Sequence, residues 1–311
     1  MPVRIASVVV VCGEALIDMI QSDDGTHHSA PGGGPFNTAR ALARLGVPTA
    51  FLGHLSQDRF GRELADLLKA DGASLELTTF GPEPTTIAFA DVDTEGSAEY
   101  RFEVKGTSAP NLTADMVPAA FGAEVEALAI GTLGLVLEPV ASTLADLVTR
   151  ERSRHLILVD PNVRLGLAPE AEYRERLLSV MAASTIVKAS DSDLAWLYPD
   201  AALDEAAALI LDEGVQLVVI TLGADGAYAA HRDLRLRVAS PPVEVADTIG
   251  AGDSFSAALL AWLHDHGLVR PDLTLDETQL RAALDYACLA ASITCGREGA
   301  DPPWRQELIS A

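Results

Sequence analysis

Short apolar runs alternate with stretches of helical composition along most of this 311-residue chain. The runs span residues 8–12, 49–52, 127–130, 156–160, 185–188 and 217–221. Runs of this length with few polar residues are typical of strands that are buried on both faces of a parallel sheet. Because helical stretches separate them, the pattern predicts an α/β fold in which helices cover both faces of a mostly parallel sheet.

Two segments depart from this alternation, at about residues 15–30 and 85–105. The second alternates polar with apolar residues, and both are predicted to form antiparallel strands that protrude from the main sheet. Ordinary hairpin packing explains the pattern equally well, because half-buried strands show it wherever they lie. With 49% hydrophobic residues, the chain has enough apolar side chains for one main domain with a small appendage.

The formal net charge of −23 restricts what the chain can bind. A protein with so few cations cannot neutralise a run of phosphates, so a general nucleic-acid binder is excluded. The longest apolar runs are far below the ~20 residues that a membrane span needs, and no basic region precedes residues 8–12 as a secretory signal requires. We therefore expect a cytoplasmic protein with no nucleic-acid or membrane partner.

The three cysteines give no sign of a disulfide or a zinc site. Cys12, Cys288 and Cys295 are odd in number and lack the spacing of metal ligands. We expect them to act as small apolar residues of the core.

The segment 247–255, with the sequence DTIGAGDSF, has the features of an anion site with a base beside it. It lies between a run, 243–246, that we expect to be extended and a run, 256–264, that we expect to be helical. Glycines let the backbone approach a ligand closely, and a new helix offers unpaired amides to a phosphate. Asp253 would repel that phosphate unless it accepts the proton of an attacking hydroxyl during phosphoryl transfer. The alternative, that Asp253 is a common helix N-cap, is equally consistent with these residues alone.

A second glycine cluster, 31–37 with the sequence PGGGPFN, precedes a predicted helix at 38–45. Three successive glycines expose amides to a ligand, and the Asn37 side chain both donates to hydroxyls and accepts from them. The cluster is also consistent with a flexible turn. Asp18 lies just past the first predicted strand, where open α/β sheets bind ligands, although a lone acid there is commonly a solvated turn residue. Together, the cluster and Asp18 favour a polar ligand at this edge.

Residues 160–164, with the sequence DPNVR, close another buried strand with polar groups. Arg164 is either a surface cation or a planar fork donor to a ligand at this edge, and the residues alone favour neither. No GxxxxGK[ST] motif occurs in the sequence, and no GxGxxG follows the first strand. These absences exclude a P-loop NTPase and disfavour a dinucleotide dehydrogenase.

The order and spacing of five motifs resemble those of the ribokinase-like, or PfkB, carbohydrate kinases, and within that family the fructokinases. The motifs are Gly13-Glu14 with Asp18, 32–37 (GGGPFN), 160–164 (DPNVR), 221–226 (TLGADG) and 247–255 (DTIGAGDSF). The resemblance extends over nearly the whole chain. It implies a ribokinase-like three-layer α/β/α sandwich, a single domain at 1–311, and a small β-strand lid over the sugar formed by residues 15–30 and 85–105.

The resemblance also implies an activity and a set of site residues. The activity is ATP-dependent phosphorylation of a sugar hydroxyl, with Asp253 as the base and with Gly250, Ala251 and Gly252 as the anion hole. The implied sugar-side residues are Asp18, Gly33, Gly34, Asn37, Arg164, Tyr100 and Phe102. The implied nucleotide-side residues are Thr221, Gly223, Gly226, Lys188, Asp193 and Cys288, and Asp247 and Ile249 match the loop that holds a monovalent cation such as K⁺ in many members.

The sequence departs from the family pattern in two places. Ser190 and Asp193 stand where ribokinases have Asn-x-x-Glu near the Mg²⁺–phosphate water network, and Cys288 stands where many members have Asn near the adenine. Asp193 keeps the charge with a shorter reach. An acidic protein that binds polyanionic ATP needs a local positive field, which a metal ion and helix ends supply, so Mg²⁺ is the implied cofactor.

The expected acceptor is a neutral sugar. Asp18 accepts hydrogen bonds and Asn37 both donates and accepts, which suits a polyol with adjacent hydroxyls. The leading hypothesis is phosphorylation of a primary hydroxyl of D-fructose to give fructose 6-phosphate. The alternatives are kinases for 2-keto-3-deoxygluconate, ribose or a nucleoside, and the acid sugar would need a cation such as Arg164 for its carboxylate. A non-catalytic sugar-binding regulator is the alternative from another class, and the lid is the surface through which a homodimer would form.

Overall fold

An eight-stranded sheet forms the centre of the fold. The computed structural model describes residues 7–21, 26–92 and 98–309. The strands within these ranges are β1 (Val8–Cys12), β2 (Leu16–Gln21), β3 (His27–Gly32), β4 (Thr49–Leu52), β5 (His54–Ser56), β6 (Thr79–Gly81), β7 (Ile87–Val92), β8 (Ala98–Glu103), β9 (Val125–Gly131), β10 (Leu156–Asp160), β11 (Ile186–Ser190), β12 (Leu217–Thr221), β13 (Ala227–His231) and β14 (Leu234–Val238). The large sheet has the order β14-β13-β12-β11-β10-β9-β1-β4.

The six predicted apolar runs all form strands of this sheet, and these strands pair in parallel from β4 to β12. The sequence does not predict β13 and β14, which extend the sheet as an antiparallel hairpin. In β14 the arginines Arg235 and Arg237 alternate with less exposed residues, as is typical of an edge strand with one solvated face. The prediction of a mostly parallel sheet is confirmed.

Helices cover both faces of the large sheet. They are α1 (Gly34–Arg44), α2 (Arg59–Asp71), α3 (Val140–Glu151), α4 (Glu170–Ala182), α5 (Asp191–Leu197), α6 (Leu203–Asp212), α7 (Ala251–Asp265), α8 (Glu277–Cys295) and α9 (Arg305–Ile309). Successive side chains of a strand point to opposite faces. Val9 and Val11 of β1 therefore pack with α1, α2, α7 and α8. Val10 and Cys12 pack with α3, α4, α5 and α6, which gives the predicted three-layer sandwich.

Three predicted element boundaries near the glycine clusters were wrong. The helices predicted at 38–45 and 256–264 begin earlier, at Gly34 and Ala251, because the glycines assigned to loops form the first helical turns. Pro35 lies in the first turn of α1, where its missing amide costs nothing. Residues 243–246, expected to be extended, form no strand in the described structure, and Val243 and Val245 are exposed rather than packed on a sheet.

A separate four-stranded sheet with the order β3-β2-β7-β8 corresponds to the predicted lid. β2 pairs with β3 and β7 with β8 in antiparallel orientation, as expected, but the central pair of β2 and β7 is parallel. Parts of the predicted lid segments, 22–25 and 93–97, lie outside the described residues. Asp58, the N-cap of α2, accepts hydrogen bonds from the amide and hydroxyl of Thr85, and this ties the start of the 85–105 segment to the main body.

The burial of the cysteines and the length of the helices can be compared with the expectations for a core role and for a membrane span. Cys12 and Cys288 are buried, Cys295 is half-buried, and all three are free thiols, so the structural role expected for them fits. Among the described residues, every helix is too short or too polar to cross a membrane.

Candidate active site

A cavity of about 370 Å³ lies between the large sheet and the lid, where the loops that follow β1, β9, β10, β11 and β12 meet. Open α/β sheets bind ligands at this carboxyl edge. The lining residues that the sequence predicts are Asp18, Gly33, Gly34, Asn37, Phe102, Arg164, Lys188, Asp193, Thr221, Ile249, Gly250, Gly252 and Asp253. The lining residues outside that predicted set are Glu14, Leu16, Thr132, Leu133, Asn162, Ser190 and Thr248. The structure thus brings most of the predicted positions to one cleft.

Asp253 lies in the first turn of α7 and does not cap the helix. The N-cap is Gly250, and no side chain there makes a capping hydrogen bond. The Oδ2 atom of Asp253 instead accepts a hydrogen bond of 2.9 Å from Nδ2 of Asn37, on α1. The N-cap alternative is therefore wrong, and the contact joins the two glycine clusters that the sequence singles out.

The surroundings of Asp253 make it a suitable proton acceptor near neutral pH. The pKa of Asp253 is raised to about 7, chiefly by burial and also by the nearby carboxylate of Asp160, while the hydrogen bond from Asn37 and the charges of Lys188 and Arg164 oppose the rise. A general base works best when its pKa lies near the working pH. Only 9% of Asp253 is exposed, so bulk water has little access to it.

The start of α7 offers amides to an anion. Gly250 has φ 77°, which favours glycine, and a Cβ there would lie 2.7 Å from the Cβ of Ala300. The Ala251 amide donates to Thr248 O, and the Ser254 amide makes the first intrahelical bond, to Gly250 O. The amides of Gly252 and its successor lie between these two, among the groups that a helix start leaves without intrahelical partners. Ala251 itself does not line the cavity, so its predicted part in the anion hole is not met by this geometry.

Lys188 places a buried cation beside this helix start. Its Nζ atom lies 2.8 Å from Oδ2 of Asp160, and both side chains are largely inaccessible to water. Burial opposes the charged form, but the carboxylates of Asp160, Asp193 and Asp253 outweigh burial and raise the pKa of Lys188. A Cβ on Gly252 would lie 2.9 Å from Nζ, so this position needs glycine for the ammonium group to come so close. Lys188 therefore supplies positive charge at the cleft of an acidic protein.

Asp18 and Arg164 approach the cleft from opposite sides. Asp18 projects from β2 of the lid, and burial raises its pKa to about 6 against the lowering effect of the Arg164 charge. A Cβ on Gly32 would lie 2.0 Å from Oδ2 of Asp18, so glycine is required there to seat the carboxylate. The Arg164 Nη1 atom donates to Val163 O at 3.0 Å and to Asn162 O at 3.4 Å.

Asp193 is occupied by protein groups on both of its carboxylate oxygens. Oδ1 accepts from the Val163 amide at 2.8 Å, and Oδ2 accepts from the amide of Ser190 at 2.9 Å and pairs with its hydroxyl at 2.7 Å. Ser190 and Asp193 form a reciprocal capping box at the start of α5. The departure from Asn-x-x-Glu thus fixes a helix start and the 160–164 loop, and a Mg²⁺ ion would be held chiefly by phosphate oxygens and water.

Asp247 stabilises the loop formed by residues 248–252, called the glycine loop below. Its Oδ1 accepts from the Ile249 amide and its Oδ2 from the Gly299 amide, each at 3.0 Å. Residues 299–301 are in turn bound by α1, where Arg40 donates to Ala300 O and Arg44 contacts Asp301. Asp247 does not line the cavity. Among the described residues, no group of three or more His, Cys, Asp and Glu side chains is arranged to hold a metal.

Several predicted nucleotide-side residues lie away from the cavity. Gly223 and Gly226 shape the turn between β12 and β13, and a Cβ on Gly226 would lie 2.0 Å from Val238 O, so close backbone approach explains that glycine. Cys288 is 3% exposed, packs in the core and does not line the cavity. Tyr100 lies on β8, but its side chain is outside the described part of the structure.

Three residues of the cleft that the site prediction omits were open to detection. Glu14 lies in the Gly13-Glu14 motif, although the resemblance assigns it no role. Thr132 and Asn162 follow β9 and β10 with positive φ values of 53° and 35°, and Nδ2 of Asn162 donates to Oγ1 of Thr132 at 3.1 Å. Positive φ is uncommon for Asn and a clear outlier for a β-branched residue. Their position directly after buried strands was the available signal.

Comparisons with known proteins identify the family of the chain. The sequence model for the pfkB family carbohydrate kinases matches residues 6–307. The chain belongs to this family. It is 40% identical over 284 residues to a fructokinase of Rhizobium leguminosarum bv. trifolii, covering 89% of this chain and 86% of the relative. It is 33% identical over 317 residues to the probable fructokinase-4 of Arabidopsis thaliana, covering 98% and 96%.

A solved structure extends the similarity to three dimensions. The crystal structure of a fructokinase from Vibrio cholerae O395, in a form with fructose, ADP and calcium ion bound, matches with a TM-score of 0.86. The two sequences are 25% identical, and the match covers 98% of this chain and 99% of that one. The ribokinase-like fold and the assignment as a carbohydrate kinase are thereby confirmed, and the alternative of a non-catalytic regulator loses its support.

Proposed function

We propose that this kinase transfers the γ-phosphoryl group of ATP to a primary hydroxyl of D-fructose and forms fructose 6-phosphate. The observation that carries the proposal is Asp253, a buried carboxylate with a pKa of about 7 that lies in the first turn of a helix beside two glycines. A base next to an anion site is what phosphoryl transfer to a hydroxyl needs. Relatives named fructokinase, one of them crystallised with fructose, support the choice of sugar.

The proposed reaction follows from the positions of these groups. Because Oδ2 of Asp253 is bound by Asn37, Oδ1 is the oxygen left to accept the hydroxyl proton. The hydroxyl oxygen forms a bond to the γ-phosphorus as the bond to the β–γ bridging oxygen breaks, and ADP leaves. Amides at the start of α7 and the ammonium group of Lys188 stabilise the negative charge of the transferred group. Mg²⁺, when bound with ATP, would neutralise phosphate charge and orient the phosphates.

The charge around the cleft favours a neutral sugar over an acid sugar. Arg164 is the motif-matched cation for a sugar carboxylate, but it already interacts with the charges of Asp18, Asp160 and Asp253. A sugar carboxylate would compete with three protein carboxylates for one guanidinium, and an uncompensated buried charge is costly. Asn37 keeps an acceptor oxygen with no hydrogen-bond partner among the described residues, which suits a sugar hydroxyl.

The remaining roles belong to the same proposal. We assign Asp18, Gly33, Gly34, Asn37, Arg164, Tyr100 and Phe102 to the sugar side and Thr221, Lys188 and Asp193 to the nucleotide side. Asp247 and Ile249 would border a K⁺ site formed mainly by backbone carbonyls, because both carboxylate oxygens of Asp247 already accept amides. We also propose a single kinase domain over 1–311, a cytoplasmic location, and a homodimer that forms through the lid.

A sugar panel tests the proposal. Purified protein with MgATP is assayed for ADP release with fructose, ribose, 2-keto-3-deoxygluconate and a nucleoside. We expect kcat/KM to rank fructose above ribose and ribose above 2-keto-3-deoxygluconate. If 2-keto-3-deoxygluconate is the best substrate and Arg164→Ala abolishes its use, the choice of fructose is wrong while the kinase assignment stands.

A further inference from the structure

Glu14 is a carboxylic acid that the proposed reaction does not use, although it lines the same cavity as Asp253. It lies two residues after the end of β1, and only 1% of the residue is exposed. Burying a carboxylate is costly unless its charge is compensated by hydrogen bonds or a cation. The position of Glu14 beside a reacting centre therefore calls for a physical reason.

The hydrogen bonds of Glu14 connect it to the loop after β9. Its Oε2 atom accepts from the Gly134 amide at 3.0 Å. That amide belongs to a short 3₁₀ turn, Thr132–Leu135, whose lining residues face the cavity. The Oε1 atom has no hydrogen-bond partner among the described residues. One carboxylate oxygen thus holds the turn, and the other keeps its acceptor capacity inside the protein.

The turn that Glu14 holds presents Thr132 to the reacting centre. Thr132 has φ 53°, a conformation that a β-branched residue keeps only when its surroundings enforce it. Its Oγ1 atom accepts from Asn162, and a Cβ on Gly34 would lie 2.5 Å from that oxygen and 3.2 Å from Oδ1 of Asp253. The Thr132 hydroxyl, the start of α1 and the proposed base therefore converge within a few ångströms.

We propose that Glu14 is a positioning residue whose carboxylate clamps the 132–135 turn and so holds the Thr132 hydroxyl against Gly34, beside Asp253. The clamp keeps the 132–135 turn, which forms the wall of the cleft beside Asp253, in one conformation. The sugar hydroxyl then reaches Asp253 in line with the γ-phosphate. The catalytic consequence rests on the proposed kinase function, whereas the clamp itself is a property of the free protein.

The pH dependence of activity offers a second way to detect the role of Glu14, because charged groups surround it. The pKa of Glu14 is raised to about 7, chiefly by burial and also by the charge of Asp253, while hydrogen bonds from backbone amides, including those of Gly134 and Leu133, oppose the rise. Glu14 in turn raises the pKa of Tyr173. The other charged groups that act on Asp253 are Asp160, Lys188 and Arg164. Two interacting carboxyl groups with similar pKa values titrate as a pair, so removing one charge shifts the titration of the other.

The first experiment compares two substitutions of Glu14 in the full chain. Glu14→Gln keeps an oxygen that accepts from Gly134 but loses the charge, whereas Glu14→Leu loses both. We expect Glu14→Leu to lower kcat with fructose roughly 10–100-fold, because small misplacements of reacting groups have effects of this size. KM for ATP should change much less. We expect Glu14→Gln to lose less activity and to move the acidic limb of the kcat profile to lower pH.

Glu151 provides a matched control, since it is also 1% exposed and lies on α3, outside the cavity. Glu151→Gln should leave the pH profile of kcat unchanged. If Glu14→Leu folds and retains wild-type kcat, the clamp is wrong. If Glu14→Leu does not fold, Glu14→Gln decides alone: loss of the charge weakens the hydrogen bond from Gly134, and wild-type kcat together with wild-type exchange of the Gly134 amide overturns the proposal.

The second experiment needs no catalysis, and so separates the clamp from the kinase assignment. A carboxyl group whose pKa is raised in the folded protein binds more protons when folded, so stability falls as pH rises from about 4.5 to about 7. Thermal midpoints of the free protein across this range should fall less for Glu14→Gln than for the wild type or Glu151→Gln. Hydrogen exchange of the Gly134 amide should speed up in Glu14→Leu. Unchanged exchange overturns the clamp even if fructose is phosphorylated, and faster exchange supports it even if fructose is not.

Discussion

The two sides of the cleft differ in where each charged side chain finds its partner. On the large-sheet side, charged side chains are bound by neighbours on the same side. On the lid side, the charge that opposes the carboxylate of Asp18 belongs to Arg164, on the loop after β10. Lys188 is paired with Asp160, and Asp253 is bound by Asn37. β10 is buried throughout, while His27, His28 and Ser29 of the lid strand β3 are exposed. We infer from this difference that the groups proposed for phosphoryl transfer are already assembled in the free protein, and we expect sugar recognition to depend on the lid. Changes on the first side should therefore affect kcat and stability, and changes on the second side should affect KM.

The largest effect is expected from Asp253→Asn, which removes the base and keeps the shape of the side chain. Turnover should fall by about 10²–10⁴, the usual contribution of a positioned base. The measurement is kcat for ADP release with fructose, with circular dichroism to show that the fold is intact. Asp66→Asn, on an exposed part of α2, serves as the control. If a folded Asp253→Asn keeps near-normal turnover, Asp253 is not the base, and the large-sheet side does not carry the chemistry assigned to it.

Lys188→Met should come next, because it removes the cation beside the helix start. We expect kcat to fall by about 10²–10³, as when a preorganised donor is lost from an anion site. The free energy of unfolding should also fall by about 3–5 kcal/mol, since the buried Asp160 loses its partner. Urea titration measures this loss, and adding Asp160→Asn should restore part of it. If Lys188→Met is as stable as the wild type, the buried carboxylate of Asp160 does not need the charge of Lys188 for folding.

Asp18 tests the lid side. Asp18→Ala should raise KM for fructose roughly 10–100-fold, the equivalent of about 1.5–3 kcal/mol for hydrogen bonds to a charged group, with a smaller change in kcat. In the wild type, KM should rise as pH falls through about 6, because the protonated carboxyl loses an acceptor. Asp18→Asn should make KM independent of pH in this range. If Asp18→Ala instead lowered kcat with KM unchanged, the division between the two sides of the cleft would be wrong.

The smallest effect is expected from exchanging K⁺ for a large organic cation at matched ionic strength. The loop that ends in the anion site is already held by Asp247, which accepts from the amides of Ile249 and Gly299. An added ion should therefore only tighten it, with a factor of about 5 in rate, the low end of coupling between distant sites. Initial rates in the two salts check this, and equal rates would remove the K⁺ site from the proposal.

The sequence predicted those parts of the fold that depend on burial. The strand bounds 8–12, 49–52, 156–160 and 217–221 coincide with β1, β4, β10 and β12, because a strand that is buried on both faces is apolar from end to end. The run 243–246 alternates apolar residues with the charged Glu244, yet it is exposed and pairs with no strand of the described structure. Apolar composition predicts which segments are buried. It does not predict which segments pair as strands, because pairing depends on parts of the chain that are distant in sequence.

The same limit explains the site. Asp253, Asn37 and Asp18 were predictable because glycine-rich motifs or strand ends mark their positions. That Asn37 binds Asp253 was not, because the two residues are 216 positions apart and nothing local connects them. The predicted role of Cys288 came from its match to a family position, and the thiol lies in the core. Positions carried over from a family keep their place in the fold, but their contacts depend on the side chains that this chain has there.

The contact between residues 299–301 and the glycine loop has a consequence for how the enzyme comes into being during synthesis. Gly299 is bound to Asp247, and Ala300 packs against Gly250. A nascent chain acquires Asp18, Asn37, Lys188 and Asp253 well before it acquires this support. We therefore expect catalytic competence only after residue 301 has left the ribosome, and we expect a chain shortened before residue 299 to carry every proposed reacting group and still lack kinase activity.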